Sequence, residues 1–236
     1  MTTLKPNLKR GKRVLFSFVC LLGVQFLVSA YYIIQYLILR NRRQENYYPE
    51  NLFEKMNVQQ DILWFVYAIV FITAAVLFLR WFYRAYRNLK TKAVRLKYSE
   101  QAAVWSWFMP FFNLLRPYQI MQELFYRTYK LLDRAHIAYG KKLPPSYLKL
   151  WWFFGWGSIL LMSFPNRYHS AENELSALIT QTILGGLSFI CSFLALFMFY
   201  KLVKEYSKIE KLLILLPDIR TIVQTDTERE TPVPVL

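Results

Sequence analysis

Few residues in this chain carry the chemistry that enzymes and metal sites use. Its 236 residues include only two cysteines and two histidines. Cys20 and Cys191 each lie inside an apolar run, as small buried hydrophobic residues do, and they indicate no disulfide framework. His136 and His169 fall on opposite sides of a membrane in the topology below, so they cannot share a metal ion. No Ser-His-Asp or paired-carboxylate arrangement is present. We therefore expect a non-enzymatic protein without metal, cofactor or catalytic residues.

Acidic residues are also scarce, since 15 Asp and Glu stand against 30 Lys and Arg, for a net charge of +15. A basic excess of this size is typical of proteins that bind nucleic acid or anionic lipid. Here the Lys and Arg residues flank long apolar runs, which is where membrane topology places them. The pattern favours anionic phospholipids over nucleic acid as partners.

Apolar residues make up 55% of the chain and form blocks long enough to cross a bilayer, whose core of about 30 Å needs about 20 helical residues. The first block follows a basic cytoplasmic arm (1–13). Its length and the lack of a small-residue cleavage site favour a retained helix over a signal peptide. We predict an all-α integral membrane protein with one membrane domain (14–211) and a tail (212–236) that is disordered after 217. Its four transmembrane helices lie at about 14–39, 62–79, 147–165 and 175–200.

Polar and glycine residues within these spans are predicted to serve helix packing. The polar ones are Gln25, Ser29 and Gln35, and the glycines are Gly155, Gly157, Gly185 and Gly186. Tryptophans near the ends of apolar runs are predicted to anchor the chain at the membrane interface. These are Trp81, Trp105, Trp107, Trp151, Trp152 and Trp156.

The apolar segment 102–115 is too short for a comfortable crossing, and Pro110 interrupts it. Proline removes a backbone donor and kinks or breaks a helix, and such a length favours a re-entrant or interfacial segment. Both flanks are strongly basic and so belong on one side. A short true crossing is the alternative.

A helical pattern with one apolar and one polar face follows at 117–139, which predicts an amphipathic cytoplasmic helix capped by Gly140. With 102–115 re-entrant and both termini cytoplasmic, twenty-five of the 30 basic residues lie inside and five outside. The positive-inside rule requires such a split. We therefore predict a multi-pass protein of the cell inner membrane.

Polar groups near membrane depth are costly and are candidates for function. We predict a site for an anion or lipid headgroup formed by Arg84, Arg87, Asn113, Arg116, Gln119 and Glu123. A structural interpretation is also open. In it, Asn113 satisfies backbone groups freed near Pro110, and Arg116 pairs with Glu123 or caps a carbonyl.

The stretch from Trp81 to Glu123 carries a recognisable series of residues. Trp81, Arg84-Ala85-Tyr86-Arg87-Asn88 and Tyr98-Ser99 come first, then Trp105, Trp107, Pro110, Asn113 and the run Arg116-Pro117-Tyr118-Gln119. This series resembles the bacterial membrane protein family known as domain of unknown function 4328. Gln101-Ala102 departs from the Pro-Gly-like start of the family's segment. The resemblance implies a multi-helix bacterial membrane protein and implies no activity.

Two functions remain open at this stage. In the first, the basic cytoplasmic face binds a partner protein or anionic lipid of the bilayer. In the second, the protein is a small transporter or channel that uses the broken segment at Pro110, and it forms a homo-oligomer because four helices enclose little pore.

Overall fold

The computed structural model describes residues 4–45, 52–93, 96–109, 115–163 and 174–216. Within these ranges the chain is entirely helical and has no strand, which confirms the predicted all-α class. The elements are α1 (Leu8–Glu45), α2 (Leu52–Lys92), α3 (Glu100–Trp105), α4 (Arg116–Arg134), α5 (Pro145–Ser163), α6 (Glu174–Glu210) and a 3-10 helix (Lys211–Leu215).

Three helical stretches are long and apolar enough to cross a membrane: Leu8–Asn41, Val58–Lys92 and Ser176–Leu215. The first two include the predicted spans 14–39 and 62–79 and extend beyond them at both ends, and the third covers the predicted span from 176 and extends beyond 200. α5 is not among the three, so the crossing predicted at 147–165 stays a prediction. Residues 110–114, with Pro110 and Asn113, and the tail from 217 onward lie outside the described residues.

The chain groups into two compact units. Unit 1 combines residues 1–14, 77–143 and 203–236, and unit 2 combines residues 15–76 and 144–202. α1, α2 and α6 each contribute one end to unit 1 and the remaining turns to unit 2. The sequence predicted one membrane domain over 14–211, and whether the two units act as one domain stays a prediction.

Unit 2 is held together by aromatic packing and a few hydrogen bonds between helices. Phe189 packs within 5.6 Å of the Tyr32 ring centroid. Gln25 Nε2 donates to Ser192 Oγ at 2.7 Å, as expected for a packing residue. Gly185 is a point of close approach, because a Cβ there would lie 2.6 Å from the Tyr32 ring. The prediction for Gly155 and Gly157 is not met among the described residues, because none of their atoms lies within 4 Å of a Cβ at either position.

Unit 1 has its own core, built from the buried faces of α2, α4 and the end of α6. Trp81 is fully buried and meets the Tyr206 ring edge-on at 5.8 Å between centroids. Phe125 meets the same ring at 5.4 Å. The apolar face predicted for α4 is confirmed, because Ile120, Met121, Leu124, Phe125 and Leu132 are buried.

Three boundaries differ from prediction. Residues 8–13 of the predicted basic arm already form the first turns of α1. α4 ends at Arg134, and His136, with φ 52°, takes the left-handed conformation that was expected of Gly140. Ile137 N–H then donates to the Leu132 carbonyl at 3.0 Å, which closes the helix end as in a Schellman motif. The predicted tail begins as a 3-10 helix in which Leu213 is buried.

The tryptophans predicted as interface anchors divide into two groups. Trp81 and Trp151 are buried within their units, where they pack against Tyr206 and Phe199 respectively. Trp105 is 60% exposed, while Trp107, Trp152 and Trp156 are half-buried. An anchoring role therefore stays a prediction for these four, and Trp81 and Trp151 serve the interior instead.

Candidate functional site

The described members of the predicted site all belong to unit 1, on two helices. Arg84 and Arg87 lie on α2, and Arg116, Gln119 and Glu123 lie on α4. Asn113 lies outside the described residues. Two of these side chains, Gln119 and Glu123, make structural contacts within unit 1. Arg84 and Arg87 instead contribute to its positive charge.

Gln119 and Glu123 bind the turn that precedes α3. Gln119 Oε1 accepts a hydrogen bond from the Tyr98 hydroxyl at 2.6 Å. Glu123 accepts from the Tyr86 hydroxyl at 2.8 Å and from the Lys97 backbone N–H at 2.8 Å. Because these oxygens already hold the turn in place, their contacts are structural.

Glu123 also forms the i,i+4 ion pair that its spacing indicates. Its partner is Arg127 on the same helix, with 3.8 Å between Nε and Oε1. An i,i+4 ion pair stabilises a helix by only a few tenths of a kcal/mol.

Sequence reasoning missed a buried polar cluster, the Glu210 cluster, formed by Asn7, Asn88 and Glu210. Glu210 Oε1 accepts from Asn7 Nδ2 at 3.0 Å and from Asn88 Nδ2 at 2.8 Å, and Oε2 accepts from Asn7 Nδ2 at 3.0 Å. All three residues are buried. A buried carboxylate is costly unless hydrogen bonds satisfy it, and here two side-chain amides do so.

The Glu210 cluster also holds the start of the chain against α2. Asn88 Nδ2 donates to the Lys5 carbonyl at 3.0 Å, and Lys5 N–H donates to Asn88 Oδ1 at 3.3 Å. Asn7 Nδ2 reaches the Trp81 carbonyl at 3.3 Å. One sequence signal could have located the cluster: Val203, Tyr206, Glu210 and Leu213 recur at helical spacing on one buried face.

Arg84 and Arg87 lie beside a third arginine from α1. Arg10 Nη1 donates to the Arg80 carbonyl at 3.2 Å, which ties α1 to α2. Arg10 and Arg87 are both close enough to Arg84 to repel it electrostatically, while Glu210 attracts it. The sequence indicated only the pair on α2, because the contact with Arg10 joins residues 70 positions or more apart.

Acidic side chains in the described part of unit 1 already have partners. Besides Glu123 and Glu210, they are Glu100 with Lys90, Asp133 with Lys142 and Glu205 with Lys208, at 2.6, 2.9 and 2.7 Å respectively. The hydrogen bond from Lys90 lowers the pKa of Glu100. Basic side chains greatly outnumber these five, so the surface of unit 1 presents positive charge.

A second surface cluster closes the loop after α4. The hydroxyl of Tyr139 donates to Asp133, and Lys142 lies over the Tyr129 and Tyr139 rings, 5.8 and 5.7 Å from their centroids. The hydrogen bonds from Tyr139 and Lys142 lower the pKa of Asp133, whereas burial raises that of Tyr129. These contacts fold the loop back onto α4.

In the described ranges no group of three or more His, Cys, Asp and Glu side chains could hold a metal ion. The fold and the site therefore define an all-helical protein with three potential membrane spans and a basic unit built from helix ends and α4.

The family model described as Domain of unknown function (DUF4328) matches residues 51–208, which is more than half of the chain. The chain belongs to this family, as the series from Trp81 to Glu123 suggested. No curated protein and no solved structure matches the chain.

Proposed function

We propose that the protein is a non-enzymatic multi-pass protein of the cell inner membrane, and that the basic surface of unit 1 binds anionic lipid or a partner protein on the cytoplasmic side. The observation that carries the proposal is the charge of unit 1. The acidic side chains of its described residues engage partners within the unit, and the exposed Lys and Arg of those residues are in excess. In unit 2 the apolar stretches 15–39 and 62–76 contain no charged residue, as lipid-embedded segments require.

The ends of the long helices support four crossings. The start of α1, the end of α2 and the end of α6 all belong to unit 1, so the proposal places them on one side of the membrane. α6 begins some 30 residues before its unit 1 end, at about 1.5 Å per residue, which is long enough for its start to lie on the other side in this proposal. Residue 143 belongs to unit 1, so in this proposal α5 carries the chain across. Both termini are then cytoplasmic.

The test is native mass spectrometry of the protein extracted with its surrounding membrane after mild crosslinking. We expect retained anionic lipid or a stoichiometric protein partner. Replacing Lys9 and Lys12 of unit 1 by Gln should weaken this retention, since each basic residue near an anionic surface contributes about 1 kcal/mol.

The matched control replaces Arg40 and Lys55 of unit 2 by Gln. Acidic residues accompany these two in the same polar segment of the sequence, so a smaller loss is expected. Equal retention of anionic and zwitterionic lipid by the unaltered protein, with no crosslinked partner, would refute the proposal. The transporter alternative rests on Pro110 and Asn113, which lie outside the described residues, and it stays a prediction.

A further inference from the structure

The arginine cluster, formed by Arg10, Arg84 and Arg87, combines three guanidinium groups from two helices. Arg10 is held beside α2 by its hydrogen bond to the Arg80 carbonyl at 3.2 Å. Arg10 and Arg87 both repel Arg84 electrostatically. Like charges held together in a fold raise its free energy unless an opposite charge offsets them.

The two acidic residues that interact electrostatically with the cluster have partners of their own. Glu210 attracts Arg84 but forms no ion pair with it among the described residues, and its oxygens accept hydrogen bonds from Asn7 and Asn88. Glu100 attracts Arg87, yet its closest partner is Lys90 at 2.6 Å. The cluster therefore keeps an excess of positive charge.

A buried donor in the cluster has no acceptor. Arg84 Nε is shielded from solvent and makes no hydrogen bond with a described residue. Buried polar atoms are almost always satisfied, and an exception calls for a partner such as a water or an ion. A guanidinium donor with two further arginines beside it suits an anion with several acceptor oxygens.

We propose that Arg10, Arg84 and Arg87 together bind one phosphate group. This inference rests on the proposed function and names the chemistry recognised on the basic surface. Arginine donates to phosphate in a bidentate manner, which lysine cannot reproduce. A tetrahedral phosphate offers enough oxygens for all three guanidinium groups.

The location of the cluster allows two sources for this phosphate. Arg84 and Arg87 lie near the end of the span Val58–Lys92, where a lipid headgroup can reach them. Arg87 is also exposed, so free phosphate from water can reach the same place.

The experiment measures phosphatidylglycerol retained by the protein in phosphatidylcholine nanodiscs, counted by native mass spectrometry. Oleate, an anionic lipid without phosphate, is the second probe. Inorganic phosphate is the third, and its effect is measured as a shift in the thermal midpoint of the detergent-solubilised protein. The variant is Arg84→Lys with Arg87→Lys, which preserves charge, and the matched control is Arg13→Lys with Arg134→Lys.

We expect the protein to retain phosphatidylglycerol over oleate, and the Arg84→Lys, Arg87→Lys variant to lose at least about tenfold in affinity while the control does not. A phosphate-dependent thermal shift that disappears in the same variant supports the site with free phosphate as the ligand. Retention of phosphatidylglycerol without that shift supports the site with a lipid headgroup.

Undiminished phosphatidylglycerol affinity in the Arg84→Lys, Arg87→Lys variant would overturn the phosphate site and leave the basic-surface proposal standing. The unaltered protein could instead prefer neither anionic lipid to phosphatidylcholine and show no change of thermal midpoint with inorganic phosphate. That result would refute both the phosphate site and the binding of anionic lipid by the basic surface. Should the double variant fail to fold, Arg10→Lys serves instead. This variant preserves the charge and leaves α2 unchanged, so a loss of phosphatidylglycerol affinity is expected without loss of folding.

Discussion

Replacing Asn88 by Ala probes how the Glu210 cluster satisfies a buried carboxylate. The Asn88 side chain makes three hydrogen bonds: to Glu210 Oε1 at 2.8 Å, to the Lys5 carbonyl at 3.0 Å, and from the Lys5 N–H at 3.3 Å. The variant removes all three and leaves Glu210 with Asn7 as its hydrogen-bonding partner within the described residues. Asn88→Ala should therefore destabilise unit 1 and release the start of the chain.

The magnitude follows from the type of acceptor. A hydrogen bond to a charged group contributes about 1.5–3 kcal/mol, and each of the two neutral bonds contributes about 0.5–1.5 kcal/mol. We expect Asn88→Ala to lower the free energy of unfolding by on the order of 3–5 kcal/mol. Breaking one partner of a buried charged cluster costs a similar amount.

A double-mutant cycle with Glu210→Met separates the two contributions. Without the carboxylate, Asn88→Ala loses only the two bonds to Lys5, so its cost should fall to about 1–3 kcal/mol. Equilibrium unfolding in detergent measures the free energies. Hydrogen exchange of residues 4–7 reports release of the arm. An equal cost of Asn88→Ala in both backgrounds would refute the view that Glu210 depends on Asn88.

Two further predictions concern packing and the loop after α4. Gly185→Ala should destabilise unit 2 by about 1–3 kcal/mol through overpacking, because the new Cβ would lie 2.6 Å from the Tyr32 ring. Gly23→Ala is the control, since no described atom lies within 4 Å of its Cβ. Helix propensity there favours Ala by about 1 kcal/mol. Equal thermal midpoints for the two variants would contradict the packing argument. Hydrogen bonds to Asp133 lower its pKa, so they stabilise the loop above the unfolded pKa of about 3.9 and are lost as pH falls through the lower folded value. Lys142→Ala should raise the Asp133 pKa in an NMR titration, and an unchanged pKa would show that the contact does not persist in solution.

Local sequence patterns predicted much of the fold. Apolar runs predicted the cores of α1, α2 and α6, and the alternation of faces predicted which side of α4 is buried, because helical periodicity depends on near neighbours. The end of α4 was harder to predict. His136 and Gly140 can both follow a helix, and the choice depends on contacts of the loop that Tyr139 and Lys142 hold against Asp133.

Local sequence patterns predicted the candidate site less well than the fold. The sequence predicted Gln119 and Glu123 as members of the site. Their oxygens instead accept hydrogen bonds from the Tyr98 and Tyr86 hydroxyls and from the Lys97 backbone N–H. Which polar groups on a basic surface remain able to meet a ligand depends on the pairing of every neighbour. That pairing cannot be read from spacing along one helix.

By itself, the sequence determined that this chain is helical, strongly basic and rich in potential membrane spans, and that it belongs to its family, since composition and short-range pattern carry those properties. Only the tertiary structure decided that Glu210 is buried with Asn7 and Asn88 and that Arg10 joins Arg84 and Arg87. The contact between Asn7 and Glu210 joins residues 203 positions apart. Such a pairing becomes visible only when the ends of α1, α2 and α6 come together in one unit.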